Sequence, residues 1–284
     1  MSWPILALFA VAAQSNSALT PPMGWNSYDC FGYAVTESQV RENAEYMAAH
    51  LKQFGWEYIV IDYVWSSPKL TSLDPPTQNA QFQPRLAMDE YGRLIPDPAR
   101  FPSSAGGRGF KPLAGWLHRL GLKFGIHLMR GIPRQAAGGR TPIFGTAKGA
   151  KEAYTAADAA NLRSPCSWLN HMWGLDMRGP AGQQYLDSIF RLYASWGVDF
   201  VKVDDLSNPY SAAEVEGYRK AIDRCGRPIV LSLSPGPTPL ENAKHVTEHA
   251  NMWRLLGDLW DTWNQLDDAF DAIAAWNPYR KQGH

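Results

Sequence analysis

In Asp199-Phe200-Val201-Lys202-Val203-Asp204 the alternation of a buried β-strand sets Phe200, Lys202 and Asp204 on one face and Val201 and Val203 on the other. A lysine buried alone loses hydration that nothing replaces, and a neighbouring carboxylate offsets that cost. A second strand sets Tyr58, Val60 and Asp62 against Ile59, Ile61 and Tyr63, and a third sets Gly125, His127 and Met129 against Phe124, Ile126 and Leu128. Asp62, His127, Lys202 and Asp204 therefore converge near strand ends from three separate strands. Singly, each is more often a satisfied core polar group; together they point to a site.

A further acid stands in Trp253-Arg254-Leu255-Leu256-Gly257-Asp258. Arg254 and Asp258 have the spacing of a surface i,i+4 pair, worth roughly a few tenths of a kcal/mol. Trp253, Trp260 and Trp263 beside them offer flat apolar faces suited to sugar rings. Two carboxylates flanking one pocket are what glycosidic cleavage needs; about 5–5.5 Å between them predicts retention and a wider gap inversion. The stretch His245-Val246-Thr247-Glu248-His249 matches the H-x-x-E-H signature of inverted zinc peptidases. It lies where a fifth helix gives way to a sixth strand, so the helical register needed to pair the histidines is expected to break there.

Alternating βα units position these residues. Strands are predicted at 23–28, 58–63, 123–129, 199–204, 228–234 and 250–254. Helices are predicted over 110–120, 180–196 and 264–276. Three more open on capping boxes, Thr36 with Gln39, Ser211 with Glu214 and Thr238-Pro239 with Glu241, and Val35 and Val40 add a hydrophobic staple to the first. Two long connections, 65–109 and 131–179, follow strands and precede helices, and the second carries Tyr154, Trp168 and Trp173 as the ordered wall of a site. Six units are visible where a closed barrel needs eight, which leaves an open doubly wound sheet or part of a barrel.

At 284 residues and 45% hydrophobic, the chain can bury one large core or two modest ones. Its 27 basic and 27 acidic residues cancel, which argues against nucleic acid and anionic membranes as partners. Twelve tryptophans and twelve tyrosines suit stacking on carbohydrate. Cys30, Cys166 and Cys225 are too dispersed for a zinc ribbon or a disulfide scaffold, although one disulfide is open. Residues 1–18 read as a signal peptide with a short apolar run and no basic start, implying a secreted or periplasmic protein, with 19–284 as one catalytic barrel.

From Leu19 onward the chain resembles glycoside hydrolase family 27, the α-galactosidase and α-N-acetylgalactosaminidase family. The markers are Thr20-Pro21-Pro22-Met23-Gly24-Trp25-Asn26-Ser27, Ile61-Asp62-x-x-Trp65, Gly92-Arg93-Leu94-Ile95-Pro96 continuing to Arg100-Phe101-Pro102, and Leu120-Gly121-Leu122-Lys123-Phe124-Gly125-Ile126. Trp196-Gly197-Val198-Asp199-x-x-Lys202-x-Asp204 and Trp253-Arg254-x-x-x-Asp258 complete the set. Jointly they are highly specific. The resemblance implies a TIM (β/α)8-type barrel and a small antiparallel β domain, no cofactor and no metal. It implies Asp204 as nucleophile and Asp258 as acid/base, Trp25 lining the sugar face, and Asp62, Lys202 and Arg254 holding hydroxyls.

The implied activity is a retaining, exo-acting removal of terminal α-galactosyl residues. Three sugar-sensing positions depart from the family. Tyr63 replaces a second aspartate, His127-Leu128-Met129 replaces Tyr-x-Asp, and Ser234-Pro235-Gly236 replaces Cys-x-Trp. Tyr63, His127 and Ser234 thus join the expected binding residues. α-N-acetylgalactosaminides, β-L-arabinopyranosides and isomaltose-type α-glucans stay open as substrates. The cysteine that usually follows the nucleophile is missing, leaving Cys166 without that partner. The family's last two βα units and C-terminal β domain are expected to be absent here, which keeps a non-catalytic sugar-binding remnant as the competing class.

Overall fold

The computed structural model describes residues 18–68, 85–145 and 153–280. The signal-like reading of 1–18 lies outside the described residues except at Ala18. Six barrel strands, β1 (Met23–Asn26), β2 (Trp56–Ile61), β3 (Lys123–Met129), β4 (Phe200–Asp204), β5 (Val230–Leu233) and β6 (Met252–Trp253), form one sheet. Each pairs in parallel with the next in chain order. A doubly wound sheet would reverse direction at a switch point; this order never does. The architecture is an incomplete TIM-type (β/α)8 barrel.

The principal helices are α1 (Glu37–His50), α2 (Lys111–Arg119), α3 (Pro180–Trp196), α4 (Ala212–Arg224), α5 (Ala243–His249) and α6 (Trp263–Trp276). The strand residues facing them, Ile59, Ile61, Phe124, Ile126, Val201, Val203, Leu231 and Leu233, are buried in the main core. On the inner face Tyr58, Val60, Phe200 and Val230 form a separate cluster with Ala18. Gly125 faces that cluster, where a Cβ would meet Val60 at 2.8 Å and Phe200 at 3.1 Å. The predicted alternation therefore holds through β2, β3 and β4.

The capping box of α1 forms: the Thr36 backbone N–H donates to Gln39 Oε1 at 2.9 Å, over fully buried Val35 and Val40. The other two boxes do not. Glu214 turns inward instead, where Arg130 Nη1 (2.6 Å) and the Leu175 N–H (3.1 Å) donate to it. Thr238 Oγ1 lies 2.6 Å from Ser207 Oγ, and the fifth helical segment opens later, on the turn Leu240–Asn242. Helix α5 runs unbroken to His249, which corrects the expected loss of register there.

The long connections are built structures. After β3, the segments Ile132–Pro133, Met172–Leu175 and Ala160–Pro165 make a three-stranded antiparallel sheet, and Trp168 and Trp173 pack against the core. Its entry requires Gly131 (φ 93°), because a Cβ there would meet Trp173 O at 1.8 Å. In the connection after β2, buried Arg100 donates to the carbonyls of Tyr33, Val35 and Val64. Cys30, Cys166 and Cys225 are all free thiols. Strand β6 is shorter than predicted, and on α6 only Trp276 is buried, while Trp263, Leu266, Phe270 and Ile273 are exposed. Among the described residues no helix is long and apolar enough to cross a membrane.

Candidate active site

Register brings the predicted residues together. His127 pairs across the ladder with Lys202, and Met129 with Asp204. Lys202 Nζ donates to Asp62 Oδ2 at 3.0 Å and lies 3.7 Å from Asp204 Oδ1, while His127 Nε2 lies 3.0 Å from Asp204 Oδ2. Asn26 from β1 donates to the same Asp62 oxygen at 2.6 Å, and the Asp62 N–H donates to Ser27 Oγ. Four strands thus supply one buried polar cluster at their C-terminal ends, where barrel enzymes bind substrates. Asp204 Oδ1 is buried and accepts no hydrogen bond among the described residues.

Burial opposes the charges of Asp62 and Asp204, but Lys202 first and His127 next outweigh it and hold both carboxyls below the usual range. Burial likewise opposes the Lys202 charge, and the two aspartates outweigh it and raise its pKa. Both carboxyls have depressed folded-state values. Their stabilisation is accordingly complete above the unfolded pKa, about 4, and is lost as pH falls from there through the folded values. Replacing Lys202 by Met removes the dominant opposing charge. Thermal melts between neutral pH and about pH 3 are expected to show a shallower acid decline in Lys202→Met than in the parent; an identical decline would refute this coupling.

Ser234, Arg254 and Asp258 extend the cluster across β5 and β6. Ser234, beside Asp204, receives Arg254 Nη1 at 3.4 Å, and Arg254 Nη2 donates to Asp258 Oδ1 at 2.6 Å. A chain Ser234–Arg254–Asp258 therefore runs from beside Asp204 out to the second carboxylate. Asp204 sits at its buried end; Asp258 sits at the rim with its side chain 60% exposed. Tyr28, exposed at the rim, feels the charges of Asp62, Lys202, Asp204 and Asp258 together. Trp25 is partly buried with its ring edge-on to Phe31 at 6.2 Å, and its Nε1 is buried without a hydrogen-bond partner among the described residues.

Tyr63 corrects the alternation reading, which put it on the opposite face from Asp62. Strand β2 ends at Ile61, and the turn beyond carries Val64 at φ 54°, a rare conformation for a β-branched residue. The Tyr63 ring packs edge-on to His127 at 5.4 Å, with a buried hydroxyl that has no hydrogen-bond partner among the described residues. His171, delivered by the connection after β3, packs on Tyr63 at 5.9 Å, and burial next to His127 and Arg134 pushes its pKa down to about 4. Asn26, Tyr28 and His171 were not predicted. Neither was the buried network in which Arg130 donates to Asp205 (2.8 Å) and Glu214, supporting the turn after Asp204, where Asp205 sits at φ 65°. Asn26 belongs to the Thr20–Ser27 motif, and only its register with β2 assigns it a partner.

The H-x-x-E-H histidines belong to the outer helical layer. Glu248, the base of that signature, is exposed, and the carboxylate in reach of both histidines is Glu216 of α4.

A family profile described as alpha galactosidase A (Melibiase_2) matches residues 175–279. The α-galactosidase of Cyamopsis tetragonoloba is 30% identical over 260 residues, covering 89% of this chain and 47% of that protein. α-Galactosidase A of Cellvibrio japonicus is 31% identical over 255 residues, covering 87% and 46%. Among solved structures, a family 27 β-L-arabinopyranosidase of Geobacillus stearothermophilus, in complex with arabinose, superposes with a TM-score of 0.88 at 51% identity, covering 96% of this chain and 62% of that one. The chain spans about half the length of the curated relatives it matches.

Proposed function

The chain is an α-galactosidase-like domain of glycoside hydrolase family 27, and from that premise we propose that it serves a retaining, exo-acting glycosidase. Asp204 attacks the anomeric carbon as its bond to the leaving oxygen breaks, and Asp258 gives that oxygen its proton. Water, losing a proton to Asp258, then displaces Asp204, and the sugar departs with retained configuration. Asp62, Lys202 and Arg254 hold hydroxyls, and Trp25 offers its face to the ring. The observation carrying this reading is Asp204 itself, charged, with a buried oxygen that has the Lys202 ammonium 3.7 Å away but accepts no hydrogen bond among the described residues. A buried acceptor without a donor is costly, and a reacting carbon beside it is the natural use of that oxygen. The leader reading of 1–18 supports export, with 19–284 as the catalytic barrel.

Terminal α-galactosides are the first substrate reading. A second, terminal β-L-arabinopyranosides, is favoured by Tyr63 and by the 51% identity to the Geobacillus enzyme. The two sugars share ring configuration, and galactose carries one extra hydroxymethyl group. An aromatic ring where the family has a carboxylate takes up room and removes an acceptor. Aryl β-L-arabinopyranoside and aryl α-galactoside should both release sugar of retained configuration by NMR; kcat/KM favours the galactoside on the first reading and the arabinoside on the second. Tyr63→Ala is expected to shift that ratio toward galactose by about tenfold, the scale of one small group in a pocket. An inverted first product would overturn the mechanism; a ratio that Tyr63→Ala leaves alone would overturn the second reading.

A further inference from the structure

We propose that Glu216, His245 and His249 form a divalent-metal site of the zinc-binding class, in the outer layer between α4 and α5. His245 and His249 stand one turn apart, with rings stacked at 4.2 Å and 18° between planes. His249 Nδ1 lies 2.8 Å from the His245 carbonyl oxygen, which can only accept, so Nδ1 carries the proton and Nε2 keeps its lone pair. His245 Nδ1 lies 2.7 Å from Tyr210 Oη, which can accept its proton, so Nε2 can ligate an ion once it gives up the proton that it shares with Glu216 Oε1. Glu216 divides its oxygens: Lys220 holds Oε2 at 3.0 Å, and Oε1 lies 3.4 Å from His245 Nε2.

Hydrogen-bonded outer partners that fix ring tautomer and carboxylate orientation are what metal ligands require. A tetrahedral zinc with bonds of about 2.0–2.1 Å separates its ligand atoms by about 3.4 Å. The Oε1–Nε2 pair already has that spacing, and the three ligand atoms all lie within 4.8 Å of one another. All three residues are partly exposed, so an ion can enter and water can complete its shell. The site is separate from the catalytic cluster and excludes Glu248, so it is no peptidase centre. An ion there would tie the fourth βα unit to the fifth.

The test is calorimetric titration of the chelator-stripped full chain with zinc chloride, alongside visible spectra with cobalt(II). One equivalent should bind in the micromolar range and give the intense bands of four-coordinate cobalt. His249→Ala and Glu216→Gln should each weaken binding on the order of tenfold or more, whereas Glu248→Gln should leave it unchanged. His249 Nδ1 bonds only within its own helix, so its removal threatens the fold least. Absence of stoichiometric binding, or equal affinity in His249→Ala, would overturn the proposal.

Discussion

Replacing Asp204 by Asn is expected to lower kcat by at least about 10⁴-fold on any glycoside the protein cleaves, because an amide cannot form and release the glycosyl ester. The change is nearly isosteric and spares the support of the site. Lys202 keeps Asp62 at 3.0 Å, so no cation is orphaned. Asp62, Lys202 and Arg254, proposed to hold sugar hydroxyls, also remain, which predicts that substrate still binds. Circular dichroism and denaturant midpoints should confirm a folded protein, and calorimetry with the intact glycoside should show binding without turnover. Activity within tenfold of the parent would remove Asp204 from the chemistry.

Asp258→Ala is expected to show the other half of the mechanism through its dependence on the leaving group. A general acid contributes about 10²–10⁴-fold, so alkyl and sugar leaving groups should suffer in that range. Activated aryl glycosides, which need little protonation, should retain a far larger share of their rate in the first step. Because the side chain is 60% exposed and paired with Arg254 on one turn, its loss should cost the fold no more than about 1 kcal/mol. A uniform loss across leaving groups would recast Asp258 as a residue that merely orients Arg254.

What could be read from the sequence divides along a physical line. Alternation is local, so the inward set Asp62, His127, Lys202 and Asp204 was legible wherever strands continued, and the register of β3 with β4 then aligned them. Alternation ends with the strand, which is why Tyr63 was misplaced: a turn containing a left-handed Val64 redirects it toward His127. Capping boxes are local patterns that tertiary partners can override. Arg130, a buried cation, draws Glu214 inward, so that it keeps the Ser211 hydroxyl at 3.3 Å but forms no capping box, and Ser207 engages Thr238. His171 had no sequence signal because it lies 42 residues beyond Met129 at the end of β3, and an antiparallel excursion brings it back to Tyr63. The H-x-x-E-H stretch kept its helix through His249, and the partner it found was on another helix.

Incubation with an activated 2-fluoro-glycoside of galactose or L-arabinopyranose, followed by intact mass measurement and peptide mapping, tests the central assignment most directly. Slow breakdown of the glycosyl ester should leave a single sugar attached, and the modified residue should be Asp204. A label on any other carboxylate, or sugar bound reversibly with no covalent mass increase, would contradict a covalent intermediate at the end of the fourth strand.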